Sequence, residues 1–277
     1  MSLDQSNPNR VALRGIPAIL ACFRHHPRAL RELRCTRESA EALREVAAWM
    51  RENQLPADVT PARDVAELAG LPAEACAVTA RPVIGLAKIS DFAEWRDEGA
   101  TVVVADNFAD PADLAGVVRS MAAFGSKRLL LSGTSERLAF DPVLWDESRG
   151  ALEAVRLIRA PALPGLLQLI EPTTVIIGLA RGIGRALHEA APVRAPGRHN
   201  LLLLSPEGVS GSLQPKVEHL FRFPGTAAEH PMAAGDAAGV LLQWLARGAK
   251  EKPAEGRGFL ARKRARQAGK GQPPADA

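Results

Sequence analysis

The sequence predicts an α/β fold, with a parallel sheet covered by helices in residues 100–248 and a smaller α/β unit before it in residues 11–82. Two observations carry that expectation. Residues 101–106, 128–132, 173–178 and 200–205 are short runs dense in Val, Ile and Leu. They lack the alternation of a half-exposed strand, so they read as strands buried on both faces. The stretches between them carry helical spacing, and strands alternating with helices mean crossover connections in a parallel sheet.

In the front unit, residues 16–23 are apolar enough for a first helix. Residues 39–52 form a second, with Leu43, Val46, Ala47 and Met50 on one face and a stop near Asn53 and Pro56. A third short helix over 61–70 ends at Gly70. Residues 83–99 read as a linker. Beyond it, residues 111–124 are helical with Leu114, Val117, Val118 and Met121 inward, and a last helix covers about 235–247.

A chain of 277 residues, 47% apolar and 24% charged, can bury two modest cores. No apolar run approaches the roughly 20 residues that cross a bilayer, and Met1 to Arg10 has no signal-peptide core, so a cytoplasmic location is expected. Cys22, Cys35 and Cys76 are scattered and lie in no metal-ligand spacing, which suits structural thiols and predicts no metal site. The net charge of +4 is modest, but its distribution is not even. Residues 247–270 carry nine Lys and Arg against Glu251 and Glu255, so 249–277 reads as a disordered basic tail. Such a tail fits a polyphosphate partner or a solubilising role equally well. Arg24, His25, His26, Arg28, Arg31 and Arg34 form a second basic cluster, readable as a phosphate-gripping patch or as a solvated face.

In an open α/β sheet, ligands sit beyond the carboxyl ends of the strands, which directs attention to residues 106–113, 132–136, 178–184 and 205–211. Gly178, Gly182 and Gly184 imitate the glycine turn of short-chain dehydrogenases. That chemistry needs a tyrosine as proton donor, and the chain has none.

The run from Val104 to Gly125 resembles the first signature of the SpoU/TrmH family of RNA 2'-O-methyltransferases, with Asp110, Pro111, Arg119, Phe124 and Gly125 at the family positions. Residues 201–211 are similar to the second signature, with Glu207 and Gly208 in agreement. Phe223-Pro-Gly and the alanine-rich run from Pro231 match the third by spacing. Gly15-Ile-Pro-Ala-Ile-Leu resembles the opening of the L30e-like domain that precedes many such catalytic domains. The resemblance, over about residues 11–247, implies a C-terminal trefoil-knotted SPOUT domain, S-adenosylmethionine held in the knot, a homodimer, and tRNA or rRNA as substrate. It implies Arg119 and Glu207 as catalytic residues, cofactor contacts at Ser205, Gly208, Phe223 and Met232, and RNA contacts at Arg24, Arg28, Arg31 and Arg119. An arginine stays cationic, so its part would be to stabilise a developing alkoxide or to hold a phosphate. Read without the resemblance, Arg119 is a surface arginine in the last turns of a helix.

Four positions depart from the pattern. Asp113 and Ala233 stand where the family has asparagine, and Ala115 and Ser205 where it has glycine. They keep open a second reading, a SPOUT-fold RNA-binding protein with impaired catalysis.

Overall fold

The computed structural model describes residues 10–80, 84–180, 183–193, 197–223 and 232–250, without the side chains of 248–250. The front unit runs β1 (Arg10–Arg14), α1 (Ile16–His25), β2 (Leu30–Cys35), α2 (Arg37–Ala40), α3 (Arg44–Glu52), β3 (Ala57–Val59), α4 (Ala62–Ala69) and β4 (Ala75–Ala80). Its sheet has the order β1-β4-β2-β3, with β4 antiparallel to β1 and β2, and β3 parallel to β2. Gly70 ends α4 at φ 75°, a left-handed cap that suits glycine.

The helix expected over 39–52 is broken. A turn over residues 41–43 separates α2 from α3. The Ser39 hydroxyl donates to the Glu74 carbonyl at 3.2 Å, which ties α2 to the approach to β4 instead of leaving it in line with α3.

The segment 83–99 is more than a linker. It holds α5 (Ile89–Asp97), whose Phe92 and Trp95 are each 1% exposed in the core beneath the main sheet. Leu86 also bridges to Arg159 and extends that sheet at its edge. The remainder runs β5 (Thr101–Asp106), α6 (Pro111–Ala123), β6 (Arg128–Ser132), α7 (Ser135–Leu138), α8 (Pro142–Glu147), β7 (Arg156–Arg159), α9 (Leu163–Ile170), β8 (Thr174–Leu179), β9 (Arg185–Ala186), β10 (His199–Leu204), β11 (His219–Arg222) and α10 (Ala234–Lys250). The seven strands lie in the order β7-β6-β5-β10-β8-β11-β9, and every pair is parallel.

Successive side chains leave a strand on opposite faces, and the core divides accordingly. Val103, Ala105, Leu129, Leu131, Val175, Ile177, Leu202 and Leu204 pack on the side of α6 and α10. Val102, Val104, Leu130, Ile158, Ile176, Leu201 and Leu203 pack on the opposite side with α5 and α9 residues. The first cluster continues into the front unit through Leu13, Ile19, Leu33 and Met50, so one core crosses between residues 11–82 and the main sheet.

Candidate functional site

The chain does not add its strands in sequence. β10 enters between β5 and β8, and β11 lies between β8 and β9, so the carboxyl ends of β5, β10, β8 and β11 meet where strand order breaks. Such breaks open crevices for ligands.

From β5 the chain turns through Asp106, 4% exposed, and Asn107, held at φ 56°. Asn107 donates to the Asp106 carboxylate at 3.1 Å, and its own carbonyl oxygen accepts from the Thr134 amide at 3.4 Å. A non-glycine residue in left-handed backbone is costly and is held by such bonds. Nothing in a strand-like Val-Ala-Asp-Asn string announces that strain.

Asp110 caps α6, its carboxylate accepting from the Ala112 amide at 2.8 Å, and Pro111 fills the first turn. Asp113 lies in that same turn, half-buried, and burial together with the Asp110 charge raises its carboxyl above the usual range. Arg119 is exposed, and its Nη1 donates to the backbone carbonyl of Glu147 at the end of α8.

The helix carrying Arg119 lies directly against α10. A Cβ added to Gly116 would stand 3.1 Å from the Gly235 Cα, and the Ser120 hydroxyl donates to the Gly235 carbonyl at 2.7 Å. The first and third signature segments are therefore joined backbone to backbone. Ala115 is wholly buried, and the close approach is made one residue later, by Gly116. Ala233 precedes α10 and its carbonyl accepts from the Ala237 amide, a position where an asparagine would supply a side-chain cap.

At the end of β10, Ser205 to Gly208 form a tight turn in which the Gly208 amide donates to the Ser205 carbonyl at 3.0 Å and Gly208 takes φ 82°. Glu207 stands exposed on that turn. The Val209 amide then donates to the Leu179 carbonyl at 3.0 Å, tying the turn to the end of β8. Phe223, just past β11, is half-buried against the main core, and Met232 is 39% exposed before α10. Residues 224–231 between them, including Pro231, lie outside the described residues, as does the basic tail.

The glycine turn has a packing role. A Cβ on Gly178 would meet Val209 at 2.7 Å and Val217 at 3.1 Å, and one on Gly184 would meet the Leu220 carbonyl at 2.6 Å. Gly182 lies outside the described residues. After Gly184 the chain forms the two-residue β9 and a 3-10 turn at Leu187–Glu189, where a dinucleotide site needs a helix N-terminus.

Arg24, Arg28 and Arg31 are all exposed, in the last turn of α1, the 3-10 turn after it, and β2. Arg31 donates to the Arg28 carbonyl at 2.7 Å, while Arg34 pairs with Glu32 at 2.9 Å and turns away. His26, inside this basic turn, places Nε2 3.1 Å from the Glu153 carbonyl, beyond α8 in the same segment that receives Arg119. The three cysteines are buried, and burial pushes the Cys76 thiol up to about 12 and raises Cys35. Among the described residues no group of three or more His, Cys, Asp and Glu is placed to hold a metal, and no helix is long and apolar enough to cross a membrane.

No family model matches the chain. A tRNA/rRNA methyltransferase of Mycobacterium bovis, described as uncharacterized, is 30% identical over 162 residues, which is 57% of this chain and 48% of the relative. The chain spans about half the length of the curated relatives it matches. The SpoU methyltransferase AviRb from Streptomyces viridochromogenes, solved with AdoMet, superposes with a TM-score of 0.68 at 18% identity, over 88% of this chain and 92% of that one. The chain is similar in sequence to tRNA/rRNA methyltransferases and shares the fold of SpoU/TrmH structures. An RNA 2'-O ribose methyltransferase structure gives a TM-score of 0.69 at 18% identity over 88% of this chain and 90% of the other, and at that identity both structures speak to the fold alone. Arg119, Glu207 and Met232 lie in the segments whose sequence resembles the SpoU/TrmH signatures.

Proposed function

We propose that this protein is an S-adenosylmethionine-dependent ribose 2'-O-methyltransferase of tRNA or rRNA. The observation that carries the reading is the Gly116–Gly235 contact, which fastens the helix bearing Arg119 to the helix of the third signature. Methyl transfer asks the protein mainly for alignment and for help with charge on the attacking oxygen. Arg119 is suited to stabilise the ribose alkoxide or hold its neighbouring phosphate, and Glu207 to shape the turn between donor and acceptor.

The cofactor supplies an electrophilic methyl group when bound. The described residues fit such a ligand by their chemistry: Ser205, Gly208, Phe223 and Met232 offer backbone groups and apolar surface rather than fixed charge. The insertion of β10 between β5 and β8, with α10 returning to α6, supports a trefoil knot formed by the last third of the chain. Residues 11–82 serve as an L30e-like RNA-binding domain with Arg24, Arg28 and Arg31 on its exposed face, residues 100–248 as the SPOUT domain, and the protein works as a cytoplasmic homodimer.

Tritiated methyl transfer to total RNA, with nucleoside digestion of the product, tests the reading. Arg119→Ala should cost about 10²–10³-fold in rate, the usual loss on removing one donor to a developing oxyanion. Unchanged transfer by that variant would remove Arg119 from the chemistry. Asp113, a carboxylate where the resembled family has asparagine, favours the second reading, a non-catalytic RNA-binding relative. RNA binding by the wild type without methyl transfer would select it.

A further inference from the structure

α8 is a six-residue helix with two different neighbours. Its start is fixed by Asp141, whose carboxylate accepts from the Val143 amide at 2.8 Å, and by Pro142. Its middle is fixed by Trp145, 7% exposed, whose indole N–H donates to the Ala139 carbonyl at 3.1 Å. Its last two residues look in different directions. The Glu147 carbonyl accepts from Arg119 on α6, and the Asp146 carboxylate accepts from Arg14 on β1 at 2.5 Å.

Arg14 is 15% exposed at its side chain and reaches a third element, its Nε donating to the Ala69 carbonyl at the end of α4 at 2.9 Å. One guanidinium thus bridges two elements of the front unit to the residue beside the carbonyl that holds Arg119. We propose that Arg14 and Asp146 are positioning residues for Arg119, their ion pair fixing the end of α8 so that the placement of the front unit sets where the Arg119 guanidinium points. The proposal rests on the reading of Arg119 as the group at the reacting hydroxyl.

Two further observations support a role beyond stability. Burial, with the neighbouring Glu147 charge adding to it, raises the Asp146 carboxyl despite the opposing hydrogen bond and charge of Arg14, so the pair does not fully offset the cost of its surroundings. Asp146 Oδ1 is also buried without a hydrogen-bond partner. A pair kept at such cost holds geometry. His26 on Glu153 adds a second tie between the front unit and the same segment, next to the exposed Arg24 and Arg28. RNA engaged by those arginines would press on the structure that aims Arg119.

The test reads Arg119 directly, by nitrogen-15 NMR of the arginine Nε–H groups in the full chain, with Arg119→Lys assigning the signal. Arg14→Gln and Asp146→Asn should each shift the Arg119 resonance and free its guanidinium rotation, and the exchanged pair Arg14→Asp with Asp146→Arg should restore both. A resonance unmoved by the single changes, or unrestored by the exchange, overturns the proposal. If Asp146→Asn unfolds, Arg14→Lys, which keeps the charge and loses the fork, decides by the same signal. In parallel, single-turnover methyl transfer at saturating RNA should fall about tenfold in Arg14→Gln with RNA affinity unchanged. A weaker RNA affinity with an unchanged rate would instead make Arg14 a binding residue and overturn the positioning. Absence of transfer by the wild type would sink the proposed function and leave the Arg119 resonance to judge the positioning by itself.

Discussion

Arg119 and His199 show how differently two polar residues can be read from sequence. Arg119 stands out through its place in a long ordered motif, yet its partner, the Glu147 carbonyl 28 residues on, is a backbone group that no side-chain pattern marks. His199 attracts no notice in the sequence because it stands just ahead of a run of leucines. It is 2% exposed, and its imidazole is pushed down to about 4 by burial, with nearby Arg96, Arg128 and Arg198 adding to the effect and a backbone hydrogen bond at Thr173 opposing it. The unfolded chain takes up a proton near pH 6.5, before the folded one does. Stability from neutral His199 is therefore complete above about pH 6.5 and lost as pH falls through about 4, a contribution of up to about 3 kcal/mol. Thermal melts between pH 7 and 4 should show a drop in Tm that His199→Asn lessens, and equal slopes for both proteins would contradict this account.

At the scale of elements, helices with a cap and a periodic face were legible and short partner-dependent strands were not. α6 announces itself by Asp110, Pro111 and four inward apolar residues, and α4 by Gly70 at its end. β1, β2, β7 and β11 have only four to six residues and mixed polarity, and they are strands because neighbours pair with them. The α6–α10 contact belongs with this second kind. Gly116 and Gly235 are separated by more than a hundred residues, and neither position alone signals a backbone crossing. A Cβ on Gly235 would sit 2.7 Å from the Gly116 Cα and carbonyl carbon, so both helices would have to part. Gly235→Ala should destabilise by about 1–3 kcal/mol, as overpacking does, despite alanine's better helix propensity. Denaturant titration measures it, and a stabilised variant would show that the helices do not pack so closely.

For the molecule as a whole, the core decides how the two sequence-defined parts behave. The cluster holding Val103, Val175 and Leu202 also holds Leu13, Leu33 and Met50, and a Cβ added to Gly150 would stand only 2.7 Å from the Ala21 Cβ. Surface buried so continuously couples the unfolding of the parts it joins. Calorimetry should therefore give one transition for the full chain, and two resolved transitions would show that residues 11–82 form an independent unit. The segment expected as a linker explains why such coupling was invisible. Its Phe92 and Trp95 look like isolated aromatics until α9 and the main sheet close over them.

The sequence by itself determined the α/β class, the main buried strands and the positions of the three signatures, because strand burial, helix caps and motif spacing are local properties. The tertiary structure decided which strands lie side by side, where Gly116 meets Gly235, and that Arg14 reaches Asp146 beside the carbonyl holding Arg119. Those are contacts between residues far apart in the chain, and their energy exists only once the sheet has brought the elements together.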